Sequence, residues 1–253
     1  LEPDKRILMF SRSSYIGMHR YGGIWQGGNK SWWSHILLNL KMMPSLNMCG
    51  FLYTGADLGG FGEDTTEDLV LRWLELGIFT PLMRNHSAMG TRVQEAYRFE
   101  KIDGFRQIIS MRYKLLPYLY SEYMKAVLRD EMMFRPLAFD YPEDRRAVKV
   151  EDQLLLGDGM MIAPVYEQNA EGRYVYLPER MKLVRFKEDG TKEEEILEKG
   201  DHYVEVALTD VIFFIRPDHL IPMAKGGQCV DEVDFDHPEC IGFVENAAEY
   251  DYY

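Results

Sequence analysis

Cysteine is scarce in this chain: three in 253 residues, Cys49, Cys229 and Cys240, widely spaced and without a C-x-x-C pair. Neither a disulfide-stapled scaffold nor a zinc site has the cysteine spacing it needs. A reducing compartment is the default, and a cytoplasmic location the expectation. No apolar run approaches the roughly 18 residues of a membrane span, and the opening LEPDKRILMF lacks the long apolar core of a signal peptide. Positive charge is also short, with 29 Lys and Arg against 41 Asp and Glu and a net charge of −12. No basic stripe offsets that acidic field, which argues against nucleic acid or an anionic membrane as partner. A neutral substrate fits better. Aromatic residues, by contrast, are plentiful at 13%, and their rings serve as core or as stacking platforms for ring-shaped ligands.

From residue 7 to about 129 one pattern occurs three times: a short apolar run, a loop rich in glycine and polar residues, then a helical segment. The first unit is ILMF (7–10), a loop through Asn29, and a helix near 30–43 closed by Pro44. The second is FLYT (51–54), the loop GADLGGFGED, and a helix near 64–76 with Asp64 or Thr65 as N-cap and Gly77 as stop. The third is IFTPLM (78–83), a long loop, and a helix near 104–128 kinked at Pro117, with Ile108, Met111, Leu115, Leu119 and Tyr123 on its apolar face. Continuous apolar strands with helices between them predict a parallel sheet in an α/β architecture.

After about residue 133 the pattern changes to short strands and turns: LLLGDGMMIAPVY, RYVYLP, MKLVRFKEDGTKEEEIL, YVEVAL and VIFFIRP. This predicts an antiparallel β domain, with a hairpin at EDG. From Lys225 to Tyr253 the chain is polar and acidic with a few strand-like stretches. The expected class is therefore α/β plus all-β, divided at 1–132, 133–224 and 225–253.

In parallel α/β sheets, function gathers in the loops after the C-terminal ends of the strands. Those loops offer Arg12, His19, Arg20, Trp25 and Asn29; then Asp57, Phe61, Glu63 and Asp64; then Arg84, Asn85 and His86. Arg12 and Arg84 can simply pair with Asp57 in a structural network, and Trp25 can be core. The convergence of three such loops favours a site instead. Asp57 can accept hydroxyl hydrogen bonds, Arg12 and His86 can donate them, and Trp25 and Phe61 can flank a ring, which describes a pocket for a neutral polyol or sugar. The stretch GIWQGGNKS comes close to a phosphate-cradling G-x-x-x-x-G-K-[ST]. However, Asn29 separates Gly28 from Lys30, which turns the Lys by about 100° around a helix start. No metal is expected: DFDHPEC (234–240) has ligand types but no partner cluster, and reads as a solvated turn.

The runs SRSSYIGMHRYGGIWQGGNKSWW, YTGADLGGFGED and RNHS at these distances resemble glycoside hydrolase family 31, the retaining α-glucosidases and α-xylosidases, and most of all its bacterial α-glucosidases. LLLGDGMMIAPV and VYLP are similar to the β domain that follows the family's barrel. The resemblance implies that 1–132 is the C-terminal part of a (β/α)8 TIM barrel, contributing its last three βα units. It further implies a proximal β-sandwich at 133–224 and the truncated start of a distal β domain at 225–253. Arg12, Trp25, Asp57, Phe61, Arg84 and His86 then stand at positions lining the family's −1 sugar pocket, and no cofactor is called for. The expected partners are α-linked glucosides or small oligosaccharides and the missing N-terminal barrel portion.

Two departures from the family pattern matter. The nucleophilic Asp of a W-x-D-M-N-E type motif is absent from these 253 residues. The acid/base Asp of W-x-G-D-N is also missing, because Gly28 stands in its place. Retaining glycosidases need two carboxyl groups about 5–5.5 Å apart. The expectation is therefore an exo-acting α-glucosidase-type enzyme whose chain is inactive alone. The alternative is a degenerate pseudo-enzyme kept for carbohydrate binding.

Overall fold

In the computed structural model, residues 7–253 are described, and the first six positions of the expected 1–132 domain lie outside the described residues. The N-terminal part is an arc of short parallel strands backed by helices. β1 (Phe10–Ser11) pairs in parallel with β2 (Gly23–Trp25), which pairs with β3 (Thr54–Gly55). One residue further on, β4 (Asp57–Leu58) pairs in parallel with β5 (Arg84–Asn85). The arc thus has four strand positions rather than three. GIW, expected as loop, forms a strand because the apolar Ile24 is buried in the packed layer.

The strands also begin later than the apolar runs predict. FLYT contributes only its last residue, and IFTPLM is a turn leading to β5. Both runs are apolar because they are buried: Ile78, Phe79 and Leu82 sit in the core. Helices α1 (Trp33–Met48), α2 (Glu67–Gly77) and α3 (Ile102–Arg129) follow. Pro44 lies inside α1 instead of closing it. Its missing N–H removes one intrahelical bond, yet the helix continues to Asn47, which is buried and fixed at both ends of its amide. Asn47 Nδ2 donates to the Phe51 carbonyl at 3.1 Å, and Oδ1 accepts from Phe134 N at 2.8 Å. The N-cap of α2 is Thr66 rather than Asp64 or Thr65, and no side chain caps it. Asp68 in the first turn accepts the Leu69 N–H at 2.9 Å.

The remainder is antiparallel. After β6 (Phe134–Pro136) and the short α4 (Leu137–Asp140) come β7 (Leu154–Leu156), β8 (Met160–Ile162), β9 (Gly172–Leu177), β10 (Met181–Phe186), β11 (Lys192–Leu197), β12 (Gly200–Glu205) and β13 (Val211–Ile215). Six of them form a sheet in the order β11-β10-β13-β8-β7-β6, while β9 and β12 pair separately. The sheet is buried on both faces, which is why VIFFI is apolar at every position. Val211, Phe213 and Ile215 join the core beneath α2 and α3, whereas Ile212 and Phe214 join the core shared with β9 and β12. The edge strand β11 is charged and exposed, which deters further pairing.

Finally β14 (His219–Met223) and β15 (Glu239–Phe243) form a hairpin against α3. The last residues return to the same helix: Tyr250 Oη donates to Glu122 at 2.7 Å.

Candidate active site

Parallel pairing places Trp25 opposite Gly55, and Asp57 opposite Arg84. Because neighbouring parallel strands point the same way, their C-terminal ends and the loops after them lie together. Asp57 is fully buried, and its Oδ1 accepts from Arg84 Nε at 2.6 Å. Burial pushes its carboxyl pKa up, against the opposing hydrogen bond and charge of Arg84. The Arg84 guanidinium lies over the Trp25 ring at 4.8 Å and the Phe10 ring at 5.7 Å. Arg12 approaches the same indole at 5.7 Å. Arg12 thus has an aromatic contact, and of the two arginines that could have paired with Asp57, Arg84 is the one that does so among the described residues. Phe61 and His86 stack with centroids 5.3 Å apart and planes 28° from parallel.

Asn29 does not cap a helix. Its Nδ2 donates to the Asp57 carbonyl at 2.9 Å, and its own carbonyl accepts from Phe61 N at 2.8 Å and Gly62 N at 3.0 Å. It thereby ties the loop after β2 to the loop after β4. The helix begins at Trp33, and Lys30 N instead donates to His35 Nδ1 at 2.9 Å, so no phosphate cradle is formed. Gly27 adopts φ 101, which a side chain disfavours. Gly28 does not: its φ lies outside the left-handed region, and an added Cβ meets only Phe61 Cδ1 at 3.5 Å, an ordinary contact. The fold has room for a side chain at this position.

Two residues that sequence reasoning did not select, or selected only by position, complete the frame. Gln94 is buried and donates to the carbonyl of Gly60 at 3.2 Å and to Asn85 Oδ1 at 2.9 Å. Asn85 answers with a bond to the Gln94 carbonyl at 2.7 Å. Gln94 sits in an irregular loop without periodicity, so nothing in the sequence marks it.

His19 and Arg20 lie instead in a short 3-10 turn away from this cluster, where the His19 ring meets Phe51. Glu63 is engaged by Trp32 and Lys30, and Asp64 accepts the Arg92 N–H. In the 234–240 stretch Asp234 accepts the N–H groups of Asp236 and His237, forming a local turn. Among the described residues, no group of three or more His, Cys, Asp or Glu side chains is arranged to hold a metal.

Buried polar atoms in folded proteins are almost always paired. Among the described residues six buried side-chain atoms have no partner, and five of them belong to these loops and strand ends: Trp25 Nε1, Gln26 Oε1, Asn29 Oδ1, Asp57 Oδ2 and Gln94 Oε1. Donor and acceptor capacity is thus left open beside the aromatic rings of Trp25 and Phe61.

Fold and site thus define a parallel α/β unit with polar and aromatic side chains clustered at its strand ends, joined to a β-sandwich. The family model described as the glycosyl hydrolases family 31 TIM-barrel domain matches residues 1–122, and the family 31 C-terminal domain matches residues 130–221. The chain belongs to glycoside hydrolase family 31. It is 36% identical over 176 residues to alpha-glucosidase 2 of Bacillus thermoamyloliquefaciens, covering 69% of this chain and 22% of that protein. It is 38% identical over 175 residues to lysosomal alpha-glucosidase of Mus musculus, covering 68% and 18%. The chain therefore spans about a fifth of the length of these relatives. Among solved structures, the Flavobacterium johnsoniae family 31 dextranase complexed with glucose superposes with a TM-score of 0.79 at 30% identity, covering 91% of this chain and 29% of that one. The cycloalternan-forming enzyme of Listeria monocytogenes shares the fold with a TM-score of 0.86 at 24% identity, over 96% and 24%.

Proposed function

We propose that this chain carries the C-terminal part of the catalytic barrel, with its β-sandwich, of an exo-acting, retaining α-glucosidase-type enzyme. The observation that carries the reading is Asp57: buried, fixed by Arg84 through one oxygen, with its other oxygen and the Trp25 indole N–H both left without a hydrogen-bond partner. A sugar hydroxyl placed there both donates to Asp57 and accepts from Trp25. Arg12, Phe61 and His86 fill out the pocket around the ring.

The chemistry itself needs a nucleophilic carboxylate, which these 253 residues do not supply in a W-x-D-M-N-E type motif, and a proton donor, for which Gly28 has no side chain. Asp57 is no substitute, since its bound oxygen faces Arg84. The chain assayed alone on p-nitrophenyl α-glucoside should give no hydrolysis above background, and clear turnover would refute the incomplete site. In the full-length protein, Gly28→Asp should raise kcat on maltose by about 10²–10⁴, since a Cβ fits there. The Gly28 form should still hydrolyse α-glucosyl fluoride, which needs no protonated leaving group, and azide should accelerate it by attacking the glycosyl-enzyme. Gly28 also favours a second reading, a degenerate carbohydrate-binding protein. Under that reading Gly28→Asp gains nothing, the fluoride is not turned over, and the preceding residues lack the nucleophile motif.

A further inference from the structure

Trp32 follows the pocket loop of β2 and takes no part in the cluster around Asp57. The residue is 48% exposed, yet its ring is held in place. Trp32 Nε1 donates to Glu63 Oε2 at 2.7 Å, and the His35 ring meets the indole edge-on with centroids 5.2 Å apart. Glu63 is fixed in turn. Lys30 Nζ lies 3.2 Å from its Oε1, and Ser31 Oγ donates to its carbonyl at 3.1 Å. The Glu63 backbone sits at φ 74, in the left-handed region. A non-glycine residue keeps that conformation only where its surroundings impose it, and such residues cluster at binding sites.

The loops bearing these two residues are one body, since Ser31 N donates to the Gly62 carbonyl at 2.9 Å and Lys30 bridges Gly62. Gly62 and Glu63 continue directly from Phe61, whose ring lies 3.5 Å from the point where a Gly28 side chain would begin. A half-exposed tryptophan is therefore anchored to the loop that runs on from Phe61, the residue facing the Gly28 position. A surface tryptophan with no task needs neither the charged partner nor the strained support.

We propose that Trp32 is the stacking platform for the sugar on the leaving-group side of the scissile bond, and that Glu63 is the positioning residue that fixes its ring. The proposal rests on the glycosidase reading above and adds to it a determinant of preference for oligosaccharides over simple glucosides. The apolar face of a neutral sugar covers the open indole face, while its hydroxyls stay in water or reach the neighbouring charged groups.

The test uses the full-length protein in the Gly28→Asp background. It compares α-glucosyl fluoride, whose leaving group is a single ion, with maltose and isomaltose, whose leaving group is glucose. Trp32→Ala should lower the ratio of disaccharide to fluoride kcat/KM roughly tenfold, mainly through KM, while Trp32→Phe keeps most of it. Glu63→Ala, which leaves the indole present but unfixed, should move the ratio the same way, and Glu63→Gln, whose amide oxygen still accepts the indole N–H, should move it less. An equal loss on both substrates, or no loss on the disaccharides, overturns the proposal. If neither the Gly28 nor the Gly28→Asp protein turns over α-glucosyl fluoride, the glycosidase reading itself fails and the role of Trp32 falls with it.

Discussion

Asp57 and Gly28 pose opposite problems at the scale of single residues. Asp57 is a carboxyl group with no solvent and one partner, and Gly28 is a position with space and no group. Removing the charge of Asp57 should expose what Arg84 is worth. In Asp57→Asn the amide no longer balances the guanidinium, so a glucose analogue should bind at least about tenfold more weakly by calorimetry to the full-length protein, the loss expected when a charge-assisted bond is broken. Unchanged affinity would make Asp57 a structural residue only. That pairing was legible as an option, because charged residues at strand ends were visible in the sequence. Its partner choice was not, since the register that sets Asp57 rather than another residue opposite Arg84 is a property of the sheet.

Helix α2 is the element that joins the two halves of the molecule. It is buried almost all round, between the strand arc and the β-sandwich, and this encloses the pair Arg72 and Glu75. Arg72 also donates to the carbonyls of Ala207 at 3.0 Å, Ala170 at 3.0 Å and Val206 at 2.8 Å, bonding α2 to loops of the sandwich. Arg72→Met strands three carbonyls and a buried carboxyl group, so the unfolding free energy should drop by about 3–5 kcal/mol in denaturant titration. Arg72→Met combined with Glu75→Leu should recover part of that loss.

Glu75 itself has a pH signature. Burial raises its pKa from 4.5 to about 8, opposed by Arg72. Between those values the native state holds a proton that the unfolded chain has released. Stability therefore falls as pH rises through this window and levels off above it. Thermal midpoints measured across the range should show that decline, and Glu75→Gln should flatten it. In sequence the helix is evident from its periodicity and its closing Gly77. That Arg72 and Glu75 are enclosed is not, because the covering sandwich loops lie 98 to 135 residues further along.

At the scale of the whole molecule, among the described residues β1 pairs with β2 alone and forms the edge of the strand arc. Beside it Ile7, Leu8, Met9 and Phe10 are all exposed, between 41% and 63%. An apolar parallel edge in this state is a template for association. The chain expressed alone should elute as oligomers in size-exclusion chromatography, and Leu8→Lys should shift it toward monomer. A monodisperse monomer without the substitution would show the edge to be harmless. The six-stranded sheet behaves differently, since its outer strand β11 is charged and its two faces are covered.

The sequence by itself determined the class and order of the architecture, parallel α/β followed by antiparallel β, because continuous apolar runs, helical periodicity and turn residues are local signals. It also determined the family, through three spaced motifs, and with it the anomaly at Gly28. Only the tertiary structure decided that GIW is a strand, that Pro44 sits within α1, that Arg84 and not Arg12 holds Asp57, and that Trp32 is anchored by Glu63. Each of these depends on a partner brought close by sheet register or loop packing, and such contacts between residues distant in the chain leave no periodic trace along it.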